Sequence, residues 1–181
     1  QGNNASGTAA TVPGGRNNIA GGDYSFVAGH NNTANGLFAT VSGGLSNTAD
    51  GDYSFAAGRQ AQAIHEGAFV WADSTAADYT STADNQFAVR ATGGVLLTVD
   101  TSGSGLQIIP NAAGPNLIGG YSGNTIEAGL SGATISGGGE PGYINVITGT
   151  GNYATIAGGS NNTASGTQSA IGGGATNTTN G

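Results

Sequence analysis

Chemistry in this chain would have to come from few residues. It contains two histidines, His30 and His65, no cysteine, and three strong bases, Arg16, Arg59 and Arg90, against ten carboxylates. A Ser-His-Asp centre has serines and aspartates to draw on, but no nucleophile elbow or other positioning motif places one beside either histidine. His30 follows a repeated glycine, at the place that Gly15, Gly44 and Arg59 take in the other repeats, which makes it an exposed turn residue; His65 stands in a turn beside Glu66. A phosphate-cradling loop needs a lysine, and the chain has none. The triplets Gly21-Gly-Asp23 and Asp50-Gly-Asp52 resemble fragments of a calcium-binding repeat, whose period is about nine residues with an aspartate in every unit. Here Asp23 and Asp52 stand 29 apart with Leu37 between them, so their side-chain oxygens are assigned to tight turns. These residues predict no enzyme, no bound metal and no cofactor.

The elements that position them repeat. Residues 18–63 write nearly the same sentence three times, NIAGGDYSFVAGHN, NTANGLFATVSGGLSN and TADGDYSFAAGRQAQA. Aligned on the central apolar residue, Val12, Val27, Val41, Ala56 and Trp71 are spaced 15, 14, 15 and 15, and a glycine comes next at Gly14, Gly29, Gly43 and Gly58. Each unit carries one short apolar run, a Gly-rich bend, and a second bend of the form Asn-Thr-Ala-x-Gly. Turn chemistry at a fixed short interval around β-type segments predicts an all-β parallel roll or solenoid of about 14–15-residue coils, each buried only against its neighbours. Glycine and asparagine accept the positive φ that so frequent a reversal demands.

Side chains in each run alternate between faces. Ala10 and Val12, Ser25 and Val27, Ala39 and Val41, Ser54 and Ala56, then Phe69 and Trp71 form the predicted interior. The opposite face carries Tyr24, Phe26, Phe38, Tyr53 and Phe55, a stripe that a soluble monomer rarely exposes beyond a few hundred Å², so these five are the candidate interface with a partner. Residues 1–73 are the first array. Residues 74–106 break the period and form a junction in which Phe87–Ala91 and Val95–Val99 are expected to pair as a β-hairpin across Thr92-Gly93-Gly94. Arg90 is assigned to a solvated or ion-paired strand position. Residues 107–181 form a second, more irregular array around Ile118, Ile135, Ile156 and Ile171, with Gly158 and Gly172 as further turn glycines and Gly139–Tyr143 as a protruding loop.

Composition narrows the partners. With 36 glycines among 181 residues, 7% charged residues and a net charge of −7, the chain has neither an ordinary core nor a basic patch for nucleic acid. Four prolines and no three-residue glycine period exclude collagen. No apolar run is long enough to span a bilayer, no signal peptide is legible, and both ends lie within repeat-like text, so this stretch is expected to be an excerpt with no membrane contact of its own. Absence of cysteine fits a secreted bacterial surface protein and many cytosolic proteins alike. The sequons at Asn4, Asn31, Asn161 and Asn177 are assigned to the turn consensus rather than to glycans. Thr11, Thr40 and Thr155 hold equivalent places, as an ice-binding rank requires, but Phe26 and Phe55 interrupt it.

Ala39-Thr-Val-Ser-Gly43 and Ala154-Thr-Ile-Ala-Gly158 resemble the repeats of trimeric autotransporter adhesin heads of the YadA-like type, over residues 1–73 and more loosely over 115–181. The segment NQFAVRATGGVLLTVD is similar to the stretches that come after such arrays in large bacterial surface proteins and in some phage tail fibres. The resemblance implies a left-handed parallel β-roll, three parallel chains to a bundle, and a place on the bacterial cell surface. The expected function is a non-enzymatic extracellular fibre or adhesin segment that offers loops to a host, matrix or cell-surface receptor. The alternatives are a phage tail-fibre shaft on a virion, or an ice- or calcium-binding solenoid.

Overall fold

The computed structural model describes residues 2–181, and all their regular structure is β. Two compact units follow one another, the first ending at Ala91 and the second beginning at Thr92. In the first unit a six-stranded sheet stacks Asn4–Ala5, Ile19–Ala20, Thr33–Ala34, Thr48–Ala49, Ala61–Ala63 and Tyr79–Thr80 in sequence order. A five-stranded sheet stacks Phe26–Val27, Thr40–Leu45, Phe55–Arg59, Phe69–Ala72 and Phe87–Arg90 in the same way. Every pairing in both sheets is parallel, so the chain visits one sheet, turns, visits the other and returns one level on. This is a parallel β-solenoid. Each coil therefore holds two strands, and the Asn-Thr-Ala segments read as bends are the strands of the six-stranded sheet.

The interior between the sheets is thin. Ala20, Ala34, Ala49 and Ala63 face it from one sheet, and Val27, Val41, Ala56 and Val70 from the other, all without solvent exposure. Small and branched side chains suit that gap, because a larger residue would force the sheets apart. The fifth coil departs from the sequence alignment by one residue. Ala56 pairs with Val70 and Ala57 with Trp71, so Ala68 and Val70 point inward while Phe69 and Trp71 point out. The small-then-branched pattern governs, and it reads Ala68-Phe-Val70 there.

A column of buried asparagines closes the corner where the chain reverses. Asn18, Asn32 and Asn47 are fully buried, and each uses both ends of its amide. The Asn32 Nδ2 donates to the Ala28 carbonyl in its own turn (2.6 Å) and to the Gly44 carbonyl in the next coil (3.0 Å). Its Oδ1 accepts the Asn47 backbone N–H (2.8 Å), and its own N–H donates to the Oδ1 of Asn18 (3.1 Å). Asn47 repeats this toward Gly43, Gly58 and the N–H of Ala61. Turn groups that no strand can pair are thereby satisfied away from water.

In the second unit one sheet begins as an antiparallel meander, Val95–Thr98, Gly105–Ile109 and Asn116–Gly120, and then continues in parallel through Thr134–Ile135, Thr155–Ile156 and Ala170–Ile171. Its companion stacks Thr125–Ile126, Val146–Ile147, Thr163–Ala164 and Thr178–Thr179. Ile135, Ile147 and Ile156 fill the interior, and Asn124, Asn145 and Asn162 rebuild the amide column. The expected hairpin across residues 92–94 is not formed. Phe87–Arg90 pairs in parallel with Phe69–Ala72, and Val95–Thr98 pairs with Gly105–Ile109. The ladder one coil back offers the first strand a preformed edge, which a local turn would have to forgo.

Replacing Asn32 by Ala leaves the Ala28 carbonyl and the Asn47 N–H without partners at a buried site, at about 1–3 kcal/mol for each unmet group, and takes one of two donors from the Gly44 carbonyl. Asn32→Ala is expected to lower unfolding free energy by at least about 2 kcal/mol in denaturant titration, whereas Asn35→Ala, at an exposed position whose amide bonds only to Asp50 at the surface, changes it by less than about 0.5 kcal/mol. The opposite sign is expected at Ser54. Its buried hydroxyl has no partner, and Ala39 and Ala68 hold the same place in adjacent coils, so Ser54→Ala should leave the melting temperature unchanged or raise it.

Candidate functional site

The side chains that could do chemistry serve the stack. The Asp23 Oδ1 accepts the Thr8 N–H (2.7 Å), the Asp52 Oδ1 that of Leu37 (2.9 Å), and the Asp84 Oδ1 that of Glu66 (3.2 Å), each reaching into the preceding coil. No group of three or more His, Cys, Asp or Glu side chains gathers around a common point among the described residues. The His65 Nδ1 lies 2.8 Å from the hydroxyl of Ser81, but that serine is buried and its oxygen also accepts the Ile64 N–H. His30 is exposed and shares a rank with Arg16, Leu45 and Arg59, one residue away from the expected Gly15 and Gly44.

In the second unit two exposed carboxylates hold loops. The Ser102 hydroxyl, with the N–H groups of Ser102 and Ser104, keeps Asp100 below the usual aspartate range. The Thr148 hydroxyl and the Gly149 N–H do the same for Glu127. Of the loop expected at Gly139–Tyr143, the Gly139 N–H bonds to the Gly159 carbonyl and belongs to the stack, while Glu140 and Tyr143 close the excursion by bonding each other.

Arg90 anchors the end of the first unit. It pairs with Asp73 (3.2 Å), donates to the carbonyls of Ala77, Thr75 and Arg59, and lies 5.4 Å from the centre of the Tyr79 ring. One planar guanidinium thus holds the 73–79 crossing against the last coil.

The expected turn glycines fall into two kinds. Gly29 and Gly58 take φ of +99° and +94°, and a Cβ at either would strike the backbone of the next coil. At Gly14, Gly43, Gly158 and Gly172 a Cβ would meet nothing. In three of those coils the collision falls one residue later, on Gly15, Gly44 and Gly159, at φ between +87° and +96°, while at Gly174, two residues after Gly172, a Cβ meets only the Asn177 side-chain nitrogen at 3.0 Å. At Gly29 the carbonyl in the way, that of Gly44, is also held by the Asn32 amide, whereas at Gly58 it is the Ala72 carbonyl, and the column does not extend to that coil, where Ala61 takes the asparagine's place.

The five interface candidates lie on the first unit in two ranks rather than one. Tyr24, Phe38 and Tyr53 occupy a corner at φ of +58°, +57° and +58°, so the alternation expected of a strand does not reach them. Their rings stack, Tyr24 on Phe38 at 4.9 Å and Phe38 on Tyr53 at 5.5 Å, and each stays about half exposed. Phe26 and Phe55 stand on the flat outer face of the five-stranded sheet, in a rank that runs Phe26, Thr40, Phe55, Phe69, Phe87. Phe55 stacks on Phe69 at 4.8 Å and Phe69 on Phe87 at 4.9 Å, with Phe87 74% exposed. Exposed Trp71 stands beside this rank, over a shallow cleft of about 270 Å³ lined by Gly58, Arg59, Ala72, Asp73 and Ser74. A constant repeat interval hides Phe69 and Trp71 from this face because the fifth coil runs one residue out of step, and a hairpin assignment hides Phe87.

No protein-family model, curated protein or solved structure matches the chain. What the fold defines is an all-β parallel solenoid of stacked coils, with one aromatic outer face.

Gly44→Ala combines a left-handed φ with a backbone collision and is expected to cost at least about 2 kcal/mol. Gly14→Ala, which meets neither obstacle, should be neutral or stabilise by up to about 1 kcal/mol in the same denaturant titration. Arg90→Lys keeps the charge but not the planar fork, so its melting temperature should fall close to that of Arg90→Ala.

Proposed function

We propose that this chain is a segment of a non-enzymatic extracellular fibre of the adhesin type. In this reading it is a left-handed parallel β-roll, assembled as a parallel homotrimer on a bacterial cell surface and offering its loops to a host, matrix or cell-surface receptor. The observation that carries the proposal is the uncovered aromatic sheet. The interior of the first unit is already filled by its own alanines, valines and asparagines, so Phe26, Phe55, Phe69, Trp71 and Phe87 have no core within their own coils. Fully burying a large apolar side chain is worth about 1.5–3 kcal/mol, and a rank of them favours association over exposure. The resemblance of the repeats to trimeric autotransporter heads supplies the number three and the handedness. The scarcity of titratable side chains, and the use of Asp23, Asp52 and Asp84 as backbone acceptors, favour a scaffold over a catalyst.

The chain in solution should show three times its 17.4 kDa mass by light scattering. Phe55→Asp with Phe69→Asp should give a folded monomer with unchanged β-type circular dichroism. A wild-type monomer at micromolar concentration, or a double variant that stays assembled, removes the aromatic sheet as the interface.

A further inference from the structure

The aromatic stack at the corner of the first unit stops where the charge beside it is densest. Its rank, kept in line by backbone bonds from coil to coil, runs Tyr24, Phe38, Tyr53, Gly67, Asn85. Phe38 covers one face of the Tyr53 ring. The next coil has no side chain to cover the other, and Tyr53 is 59% exposed, the most of the three. The residues just before this rank form a second file, Asp23, Leu37, Asp52, Glu66, Asp84, so each of the three coils around the gap carries a carboxylate. Asp52 and Asp84 use one oxygen each for the N–H groups of Leu37 and Glu66. Among the described residues nothing donates to the Glu66 carboxylate, nor to the Oδ1 of Asn85, whose side chain leans back toward Gly67. Arg59 and Arg90 stand at the far ends of their strands, and Arg16 ranks with Arg59, so no arginine neutralises this corner. His65, beside Glu66, has its Nδ1 against the Ser81 hydroxyl.

We propose that the gap over Gly67 is a binding site for an arginine side chain of a partner protein. The guanidinium stacks on the open face of Tyr53 and donates to Glu66 and to the Asn85 Oδ1, with Asp52 and Asp84 on the rungs to either side. This rests on the reading of the chain as an adhesin segment and names the chemistry of what it attaches to. Coils recur at about 4.8 Å, so Tyr53 and Asn85 stand about 9.6 Å apart, which leaves one rung for a planar group. The negative ring face and the carboxylates both attract a cation. A guanidinium has in addition a flat face to stack and a fork of five donors for acceptors on several sides, whereas an ammonium has the charge alone. Two unfavourable features meet at this corner. Bulky residues at left-handed φ are strained, and such strain concentrates where a protein holds a ligand. Like charges on neighbouring rungs repel, and a cation seated among them turns that repulsion into attraction.

The probes are two dye-labelled peptides of equal charge, one of four Gly-Arg repeats and one of four Gly-Lys repeats, titrated with the whole chain at low salt and read by fluorescence anisotropy. The arginine peptide is expected to bind at least about fivefold tighter than the lysine peptide. Gly67→Tyr fills the gap by extending the stack: the φ of +64° there is close to the +58° that Tyr53 already holds, and the Asn85 side chain it displaces is exposed. It should weaken the arginine peptide at least about tenfold and leave the lysine peptide within about twofold, with the mass in solution unchanged. Glu66→Gln, which removes charge and keeps the gap, should weaken both. Where Gly67→Tyr fails to fold, Tyr53→Leu takes its place and the same selective loss is expected. Equal binding of the two peptides, or a filled gap that binds the arginine peptide as before, leaves only an acidic face and overturns the site. A Gly67→Tyr variant that folds but loses mass in solution assigns the gap to a second copy of this chain and overturns the partner. Light scattering of the wild type separates the two levels: a monomer that prefers the arginine peptide removes the homotrimer and leaves this site, whereas a trimer that binds both peptides alike removes this site alone.

Discussion

The asparagine column is what the rest of the structure depends on. A coil that reverses direction twice brings turn carbonyls and N–H groups to the inside, away from water, and backbone partners meet only part of their bonding capacity. A primary amide has two donors and an acceptor, and at Asn32 and Asn47 each of these is directed at a backbone group. Because each Oδ1 receives the N–H of the next ladder residue, the column fixes the height of one coil relative to another as firmly as the strands do. Hydrogen bonds in such a chain polarise one another in a low-dielectric interior. The strands themselves, mostly two residues long, could not hold a register alone.

The column also bears on where glycine is required at its own corner. There the carbonyl that an amide holds stands where a side chain would have to go, and that position moves with the asparagine rather than with the apolar run. This explains why aligning the repeats on valine and the following glycine locates the turns but misses the residue under strain in many of the coils. That the chain stacks as repeated coils is legible because Gly, Asn and Asp recur at a short interval no globular core produces. The second strand of each coil is not, since Thr33–Ala34 and Thr48–Ala49 are too short and too polar to register as an apolar run.

Other errors share a cause. Phe87–Arg90 looks like half of a hairpin, because local pattern favours the nearest partner in sequence, yet in a solenoid the available edge is always one coil back. Counting a constant interval places Trp71 inside, where packing obeys the small-then-branched pair that the thin interior admits. The five aromatic candidates are legible as a set, but strand alternation puts them on one face. Their division into a corner stack and a sheet rank comes from positive φ at Tyr24, Phe38 and Tyr53, which sequence does not announce for residues so bulky. Such backbone strain persists only where the surroundings hold it, here by ring stacking and by the N–H bonds to Thr8, Asp23 and Leu37.

The amide column has a mechanical consequence as well. Its hydrogen bonds, like those of the strands, point from coil to coil, so a pull that peels the first unit loads them one level at a time. Releasing the residues between Asn18 and Asn32, 14 positions apart, gives up one level of about 4.8 Å and frees roughly 45–50 Å of extended chain. A stack under tension would therefore lengthen in discrete steps, each dissipating the rupture of one coil while the coils beyond it keep their register. Because every coil is bonded only to its neighbours, a relaxed end has an intact template on which to rewind.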